Sequence, residues 1–110
     1  MYEHKKMKGL VKMLTFEKVL EVFKDYLKQD EVFEVVTTKR GYTVMIWEEK
    51  DEQWFGVQYC KTPEKLRDAL LEGYHDFSEQ QLTHNRRNLT EEEIADIKSR
   101  CKQLSDRCGK

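Results

Sequence analysis

The chain of 110 residues is long enough for one domain and short for two. A hydrophobic fraction of 38% against a charged fraction of 37% predicts a modest core beneath a densely charged surface. The net charge of −1 argues against a polyanionic partner, because nucleic-acid binders usually carry a basic excess. The odd cysteine count (Cys60, Cys101 and Cys108) and the lack of an apolar run suited to a signal peptide or membrane span predict reduced thiols and a cytoplasmic location.

The chain opens with a basic stretch and then a strong helix signal. Residues 1–13 hold four lysines against Glu3 and are predicted to form a flexible arm before a single domain at residues 14–110. Thr15 is a good N-cap, and Leu14 with Val19 can form a hydrophobic staple. A helix is therefore predicted over about residues 16–29, with an apolar stripe of Phe16, Val19, Leu20, Phe23, Tyr26 and Leu27.

Three strands are predicted next, at residues 32–38, 42–48 and 53–60. The first is rich in β-branched residues, and Gly41 can take the positive φ that the tight turn after Lys39 and Arg40 needs. A charged turn at residues 49–52 separates the second strand from the third. These connections are too short for crossovers, so the strands should form an antiparallel meander.

Two further helices complete the chain. Thr62 and Pro63 are an N-cap and a first-turn proline, which predicts a helix over residues 63–82. Thr90 with Glu93 forms a capping box at the start of a helix over residues 91–108. The narrow stripe of this last helix suits a groove or a helix partner. The fold class is therefore α+β in the order α-β-β-β-α-α, with the meander packed on helices.

Strand alternation gives the sheet two apolar faces. The more apolar one is predicted to pack on the helices and comprises Phe33, Val35, Val44, Ile46, Phe55, Val57 and Tyr59. The other comprises Val36, Met45, Trp47 and Trp54, with Glu34, Thr43 and Gln58 among them. Since each aromatic side chain can bury about 150–250 Å², something should cover this second face.

Three coverings are consistent with the pattern. The helix at 91–108 could fold back and lay Ile94, Ile97, Cys101 and Leu104 across the two tryptophans. A second copy of the chain could pair through this sheet face or through the helix at 91–108. A different macromolecule could bind there, because an apolar cluster rimmed by charge is a usual mark of a recognition surface.

Motifs for chemistry are sparse. Cys101 and Cys108 are seven residues apart on one helix, about 10 Å by the helical rise, which is too far for one zinc ion. No local motif activates a cysteine or a histidine, and no glycine-rich loop follows a strand. The sequence therefore predicts a protein that is not an enzyme and has no catalytic residue, metal site or cofactor.

A nucleic-acid module is a competing interpretation. The order α-β-β-β-α resembles that of double-stranded RNA-binding domains, although the basic helix start of that family is missing here. A basic surface for this function would use Lys39, Arg40, Arg86 and Arg87, together with the lysines of the arm.

The hairpin KRGYTVMIW and the strand-to-helix junction CKTPEKLRDALL resemble a group of small proteins encoded in mobile elements and gut genomes of Firmicutes, over about residues 14–80. The resemblance implies a cytosolic bacterial or phage accessory protein. Such proteins often bind and block a host protein, and anti-CRISPR proteins are one such class.

The favoured hypothesis is therefore a non-catalytic protein-binding module, an inhibitor of a host defence protein in its most specific form. Its predicted binding residues are Met45, Trp47, Trp54, Glu48, Glu49, Asp51 and Glu52, since an acidic tip can imitate phosphates in a basic channel. The alternatives are the nucleic-acid module and a homodimeric structural protein.

Overall fold

A computed structural model describes residues 13–109 and shows the α-β-β-β-α-α order predicted from the sequence. The elements are α1 (Phe16–Gln29), β1 (Phe33–Thr38), β2 (Gly41–Glu48), β3 (Gln53–Cys60), α2 (Pro63–Thr83) and α3 (Glu91–Cys108). The predicted arm at residues 1–13 lies outside the described residues, except for Met13. The fold is α+β, with one antiparallel three-stranded sheet in the order β1-β2-β3.

All three helices begin at the predicted caps. The side chain of Thr15 accepts a hydrogen bond from the amide of Lys18 at 3.1 Å, and that of Thr62 accepts one from Lys65 at 3.2 Å. At α3, the amide of Glu93 donates to Thr90 Oγ1 at 3.1 Å while the amide of Thr90 donates to Glu93 Oε1 at 2.9 Å. These bonds satisfy amides that a helix leaves free at its first turn.

A β-bulge interrupts the pairing of β2 with β3. Val44 lies opposite Gln58, and Ile46 lies opposite Phe55. Gly56 and Val57 therefore face Met45 together, and Gly56 has a φ of +62°. A glycine in the left-handed region is the usual first residue of one class of bulge, since it has no Cβ to clash.

The bulge overturns part of the predicted face assignment. Because one extra residue is inserted, the side-chain alternation shifts after Gly56. Val57 and Tyr59 were predicted on the helix-facing side but lie on the opposite side, with Trp54. Cys60 instead turns toward the helices and is fully buried. Gln58 turns to the same side as Cys60 but stays exposed at the sheet edge.

Helix α2 crosses the sheet obliquely. It starts beside the end of β3, where Leu66 is fully buried, and by Gly73 it has reached Phe33 on β1. A Cβ added at Gly73 would lie 2.7 Å from both the Phe33 ring and the Tyr26 hydroxyl, so only glycine permits this approach. The oblique path leaves the first half of β3 uncovered, and Phe55, predicted to be in the core, is 46% exposed.

Helix α3 packs against α1 and α2. Ile97 and Cys108 are buried, and Cys101 and Leu104 are half-buried, so most of its narrow apolar stripe is used within the chain. The suggestion that α3 folds across the two tryptophans is therefore wrong: the helix belongs to the helical layer. Buried residues of α1 and α2 join Phe33, Val44 and Cys60 in one core between this layer and the sheet.

Candidate protein-binding face

The side of the sheet away from the helices carries an apolar surface, called the open face below, with Glu34 and Thr43 among its apolar residues. It comprises Val36, Met45, Trp47, Trp54, Val57 and Tyr59. Trp54 is 40% exposed, Val57 62% and Tyr59 47%, whereas the other three side chains are half-buried. No helix or strand of residues 13–109 covers this face.

Two tryptophans form the centre of one end of the open face. Trp47 and Trp54 lie directly opposite each other on β2 and β3. Their ring centroids are 5.0 Å apart and their planes are inclined by 63°, an edge-to-face contact that aromatic pairs prefer. The indole nitrogen of Trp47 donates to Glu49 Oε1 at 2.9 Å. The ring contact and this hydrogen bond hold the pair in one arrangement.

The hairpin tip beside the tryptophans is acidic. Residues 48–52 contain four carboxylates against Lys50. The turn is closed by the amide of Glu52, which donates to the carbonyl of Glu49 at 3.3 Å, and by the amide of Lys50, which donates to Glu48 Oε2 at 3.2 Å. The structure therefore places the seven residues predicted for protein binding towards one end of the sheet: Met45, Trp47 and Trp54 lie on the open face, and the four carboxylates lie in or beside the tip.

The opposite end of the open face is basic. Lys39 and Arg40 form the turn between β1 and β2, and the exposed Lys61 follows β3 at the same end. Tyr59 covers Gly41 there, and its hydroxyl donates to the carbonyl of Arg40. The open face thus has an acidic end, an apolar middle and a basic end along the strand direction.

The residues predicted for nucleic-acid binding are dispersed. Lys39 and Arg40 lie at the basic end of the sheet, whereas Arg86 and Arg87 follow α2, a helix of 21 residues that spans about 31 Å. Arg87 is also occupied: it donates to both carboxylate oxygens of Glu93, each at 2.9 Å. This contact, with the Thr90 amide, lowers the pKa of Glu93 to about 2. The four basic residues do not form one surface.

The cysteines show none of the features of reactive thiols. Burial raises the pKa of Cys60, Cys101 and Cys108, which keeps all three as neutral thiols. Within residues 13–109, no three histidine, cysteine or acidic side chains come together as a metal site would require. In the same part of the chain, none of the helices has the length and apolar character to span a membrane.

A groove of about 470 Å³ lies between the three helices, lined in part by Tyr26, Tyr74 and Leu104. Three of its polar side chains are paired within the chain. The Tyr26 hydroxyl donates to Asp30 at 2.6 Å, and Arg100 donates to Asp96 at 2.8 Å and to the Tyr74 hydroxyl at 3.3 Å. Burial, together with the bond to Asp30, raises the pKa of Tyr26 well above its ordinary value. Arg100 Nε is buried without a hydrogen-bond partner among the described residues.

Sequence reasoning missed two members of the open face, Val57 and Tyr59. The signal that could have found them is Gly56, because an isolated glycine inside a strand often marks a bulge. Counting the alternation afresh after Gly56 places both side chains beside Trp54.

The comparisons with known proteins add no assignment: no family model, no curated protein and no solved structure matches this chain.

Proposed function

We propose that this chain is a non-catalytic protein-binding module whose open face binds a partner protein. The observation that carries the proposal is the exposure of Trp54, Val57 and Tyr59 on a face with no cover from the described residues. Solvent-exposed aromatic clusters of this kind mark recognition surfaces, and tryptophan and tyrosine are enriched among the residues that dominate binding energy.

The size of the open face fits this role. The three strands, of six, eight and eight residues, have a footprint of roughly 350 Å² at about 4.8 Å between strands and about 3.3 Å per residue, Glu34 and Thr43 included. That is within the range of about 300–600 Å² for the largest apolar patch on a monomer, which is often functional. A complete interface needs about 800 Å² from each partner. A partner is therefore expected to extend beyond the strands and to contact the acidic tip.

The acidic tip indicates the chemistry of the partner. Glu49, Asp51 and Glu52 are exposed and stand beside Trp54, so they favour a basic protein surface with an apolar patch next to it. In the most specific form of the proposal the partner is a host defence protein with a basic nucleic-acid channel, which the tip enters as a phosphate mimic. This form is supported by the resemblance to mobile-element proteins and by the charge of the tip.

Affinity capture with matched variants tests the proposal. The immobilised chain is exposed to a Firmicutes lysate, and proteins retained by the wild type are compared with those retained by Trp54→Ala. Removal of a central aromatic anchor should cost 2 kcal/mol or more, about 30-fold in affinity. Ile94→Ala is the control, because Ile94 is an apolar residue of similar exposure, 41%, on α3.

A supporting result is a protein that Ile94→Ala retains and Trp54→Ala loses, confirmed by titration with that purified partner. Circular dichroism should show the same helix content and unfolding midpoint for both variants. If both variants retain the same proteins, the open face is not the binding site. If Trp54→Ala unfolds the chain, Trp54 is a core residue and the proposal fails.

Nucleic-acid binding, the alternative function, is tested in a separate experiment. The dispersed basic residues predict no binding of duplex RNA or DNA at low salt by fluorescence anisotropy. Binding that weakens steeply with salt would instead favour the nucleic-acid module.

A further inference from the structure

Strand β3 differs from the rest of the sheet in how much of it meets solvent. Every β3 residue except Cys60 is exposed, whereas no residue of β2 is. The exposure affects both sides of the sheet: Trp54, Val57 and Tyr59 lie on the open face, and the 46% exposed Phe55 lies on the helix side. A partner lying only on the open face would leave Phe55 in water. A strand added along the edge would place cross-strand neighbours beside the side chains on both sides.

The edge of β3 carries no charged side chain, and the bulge at Gly56 and Val57 is its one protective feature among the described residues. Natural sheet edges are commonly blocked by charged side chains, and the outer strand β1 carries Glu34. The eight residues of β3, QWFGVQYC, contain no charge. Among residues 13–109 no strand lies beyond β3, so its outer backbone groups have no partner strand. Both features favour pairing with another strand.

The charges at the two ends of β3 indicate that the added strand is the β3 strand of a second copy of the chain. Glu52 and the acidic tip precede β3, whereas Lys61 follows it at the end where Lys39 and Arg40 lie. An antiparallel pair of two β3 strands related by a two-fold axis places the acidic end of each copy against the basic end of the other. Such an interface is self-complementary, as two-fold symmetry requires.

The bulge fixes the register. Residues opposite each other in an antiparallel pair share a face. In each copy the side-chain alternation shifts at Gly56 and Val57. Opposite residues can therefore share a face along the whole pair of strands only if the bulges of the two copies lie opposite each other at the two-fold axis. Trp54 of one copy then lies opposite Tyr59 of the other, and both belong to the open face. Glu52 then lies opposite Lys61 of the second copy, just beyond the paired strands.

We propose that two copies of this chain associate through their β3 edges in this register, forming a six-stranded antiparallel sheet. The two helical layers lie on one side and the two open faces join on the other, with a Trp54–Tyr59 pair at each half of the junction. The proposal does not rest on the proposed function, because it uses the strand edge and leaves the open face free. Eight-residue edges make a small contact, so dissociation is expected at about 10–100 μM.

Sedimentation equilibrium of the full chain tests the association. The weight-average mass should rise from the single-chain value of 13.3 kDa towards twice that value as the concentration increases. Glu52→Lys and Lys61→Glu should each weaken the dimer about tenfold or more, because symmetry turns two attractive pairs into two repulsive ones. Both residues are exposed, so the fold should tolerate either change.

The decisive experiment mixes the two variants. An equimolar mixture of Glu52→Lys and Lys61→Glu should dimerise as well as the wild type, because each repulsive pair becomes attractive in the mixed dimer. Phe55→Lys should abolish the dimer and still retain any partner that Trp54→Ala loses, which separates this inference from the proposed function. A wild type that stays at its single-chain mass at about 1 mM, or a mixture that associates no better than either variant alone, overturns the proposal.

Discussion

Gly56 has a φ of +62°, and a Cβ built there would lie 3.5 Å from Ile46 Cδ1, an ordinary contact distance. There is thus room for a side chain, and the requirement for glycine comes from the backbone. An L-residue in the left-handed region costs roughly 1–2 kcal/mol.

Gly56→Ala is therefore expected to lower the free energy of unfolding by about 1 kcal/mol, measured by urea denaturation. Gly56→Asn should cost less, because asparagine tolerates this region better. Equal stability of Gly56→Ala and the wild type would mean that no positive φ is required at this position.

Glu93 gives the fold a defined dependence on pH. The hydrogen bond from Arg87 and the Thr90 amide lower its pKa from an ordinary 4.5 to about 2. A lowered pKa in the folded state means that the stabilisation is present above the unfolded value and is lost as pH falls towards 2. Between about pH 5 and pH 2 the wild type should lose more stability than Glu93→Gln.

Thermal unfolding of the wild type and Glu93→Gln in that range measures the difference. Glu92→Gln serves as the control, since Glu92 is exposed in the same turn. Parallel curves for the wild type and Glu93→Gln would contradict the capping role of Glu93.

Residue-scale prediction from the sequence succeeded where the signal is local. The caps Thr15, Thr62 and Thr90 were identified because an N-cap depends on a residue and its next three neighbours. The sides of Val57 and Tyr59 were wrong because they depend on a bulge, which one strand forms only in relation to its neighbour.

The contact between α2 and the sheet depends on a single glycine. Gly73 lies where the helix approaches Phe33 and Tyr26, and an added Cβ would be 2.7 Å from each. Alanine has a better helix propensity than glycine by about 1 kcal/mol, but overpacking typically costs about 1–3 kcal/mol. The gain in helix propensity and the cost of overpacking oppose each other. Because the added Cβ would lie only 2.7 Å from its neighbours, the cost of overpacking is expected to be the larger.

Gly73→Ala is therefore expected to destabilise the protein by about 1 kcal/mol in urea denaturation. The loss should shrink when Phe33→Leu is introduced as well, because the smaller side chain leaves space for the methyl group. Stabilisation by Gly73→Ala alone would show that the helix does not approach the sheet this closely.

Prediction at the scale of elements was correct for the number, type and order of the helices and strands. The sequence did not determine where α3 packs, because its narrow apolar stripe fits a neighbouring pair of helices as well as a sheet. The structure resolves this through Ile97 and Cys108, which are buried where α3 packs on the helical layer.

At the scale of the whole molecule, the three helices within residues 13–109 all lie on one side of the sheet. A half-covered antiparallel sheet is common when its second side is polar. Here that side carries two tryptophans, a methionine and a tyrosine, with opposite charges at its two ends. Met45, Trp47 and Trp54 already indicated in the sequence that this side is apolar. Only the path of α3 shows that the described chain leaves this side uncovered.

The proposed function depends on the exposure of Trp54, which is 40% exposed on the open face of a single chain. This exposure is tested by quenching the fluorescence of Trp47→Phe, in which Trp54 is the sole tryptophan, at about 1 μM so that copies stay separate. The open face predicts red-shifted emission, strong quenching by acrylamide and stronger quenching by caesium than by iodide, because the acidic tip attracts cations. Blue-shifted emission protected from acrylamide in this dilute monomer would contradict the account.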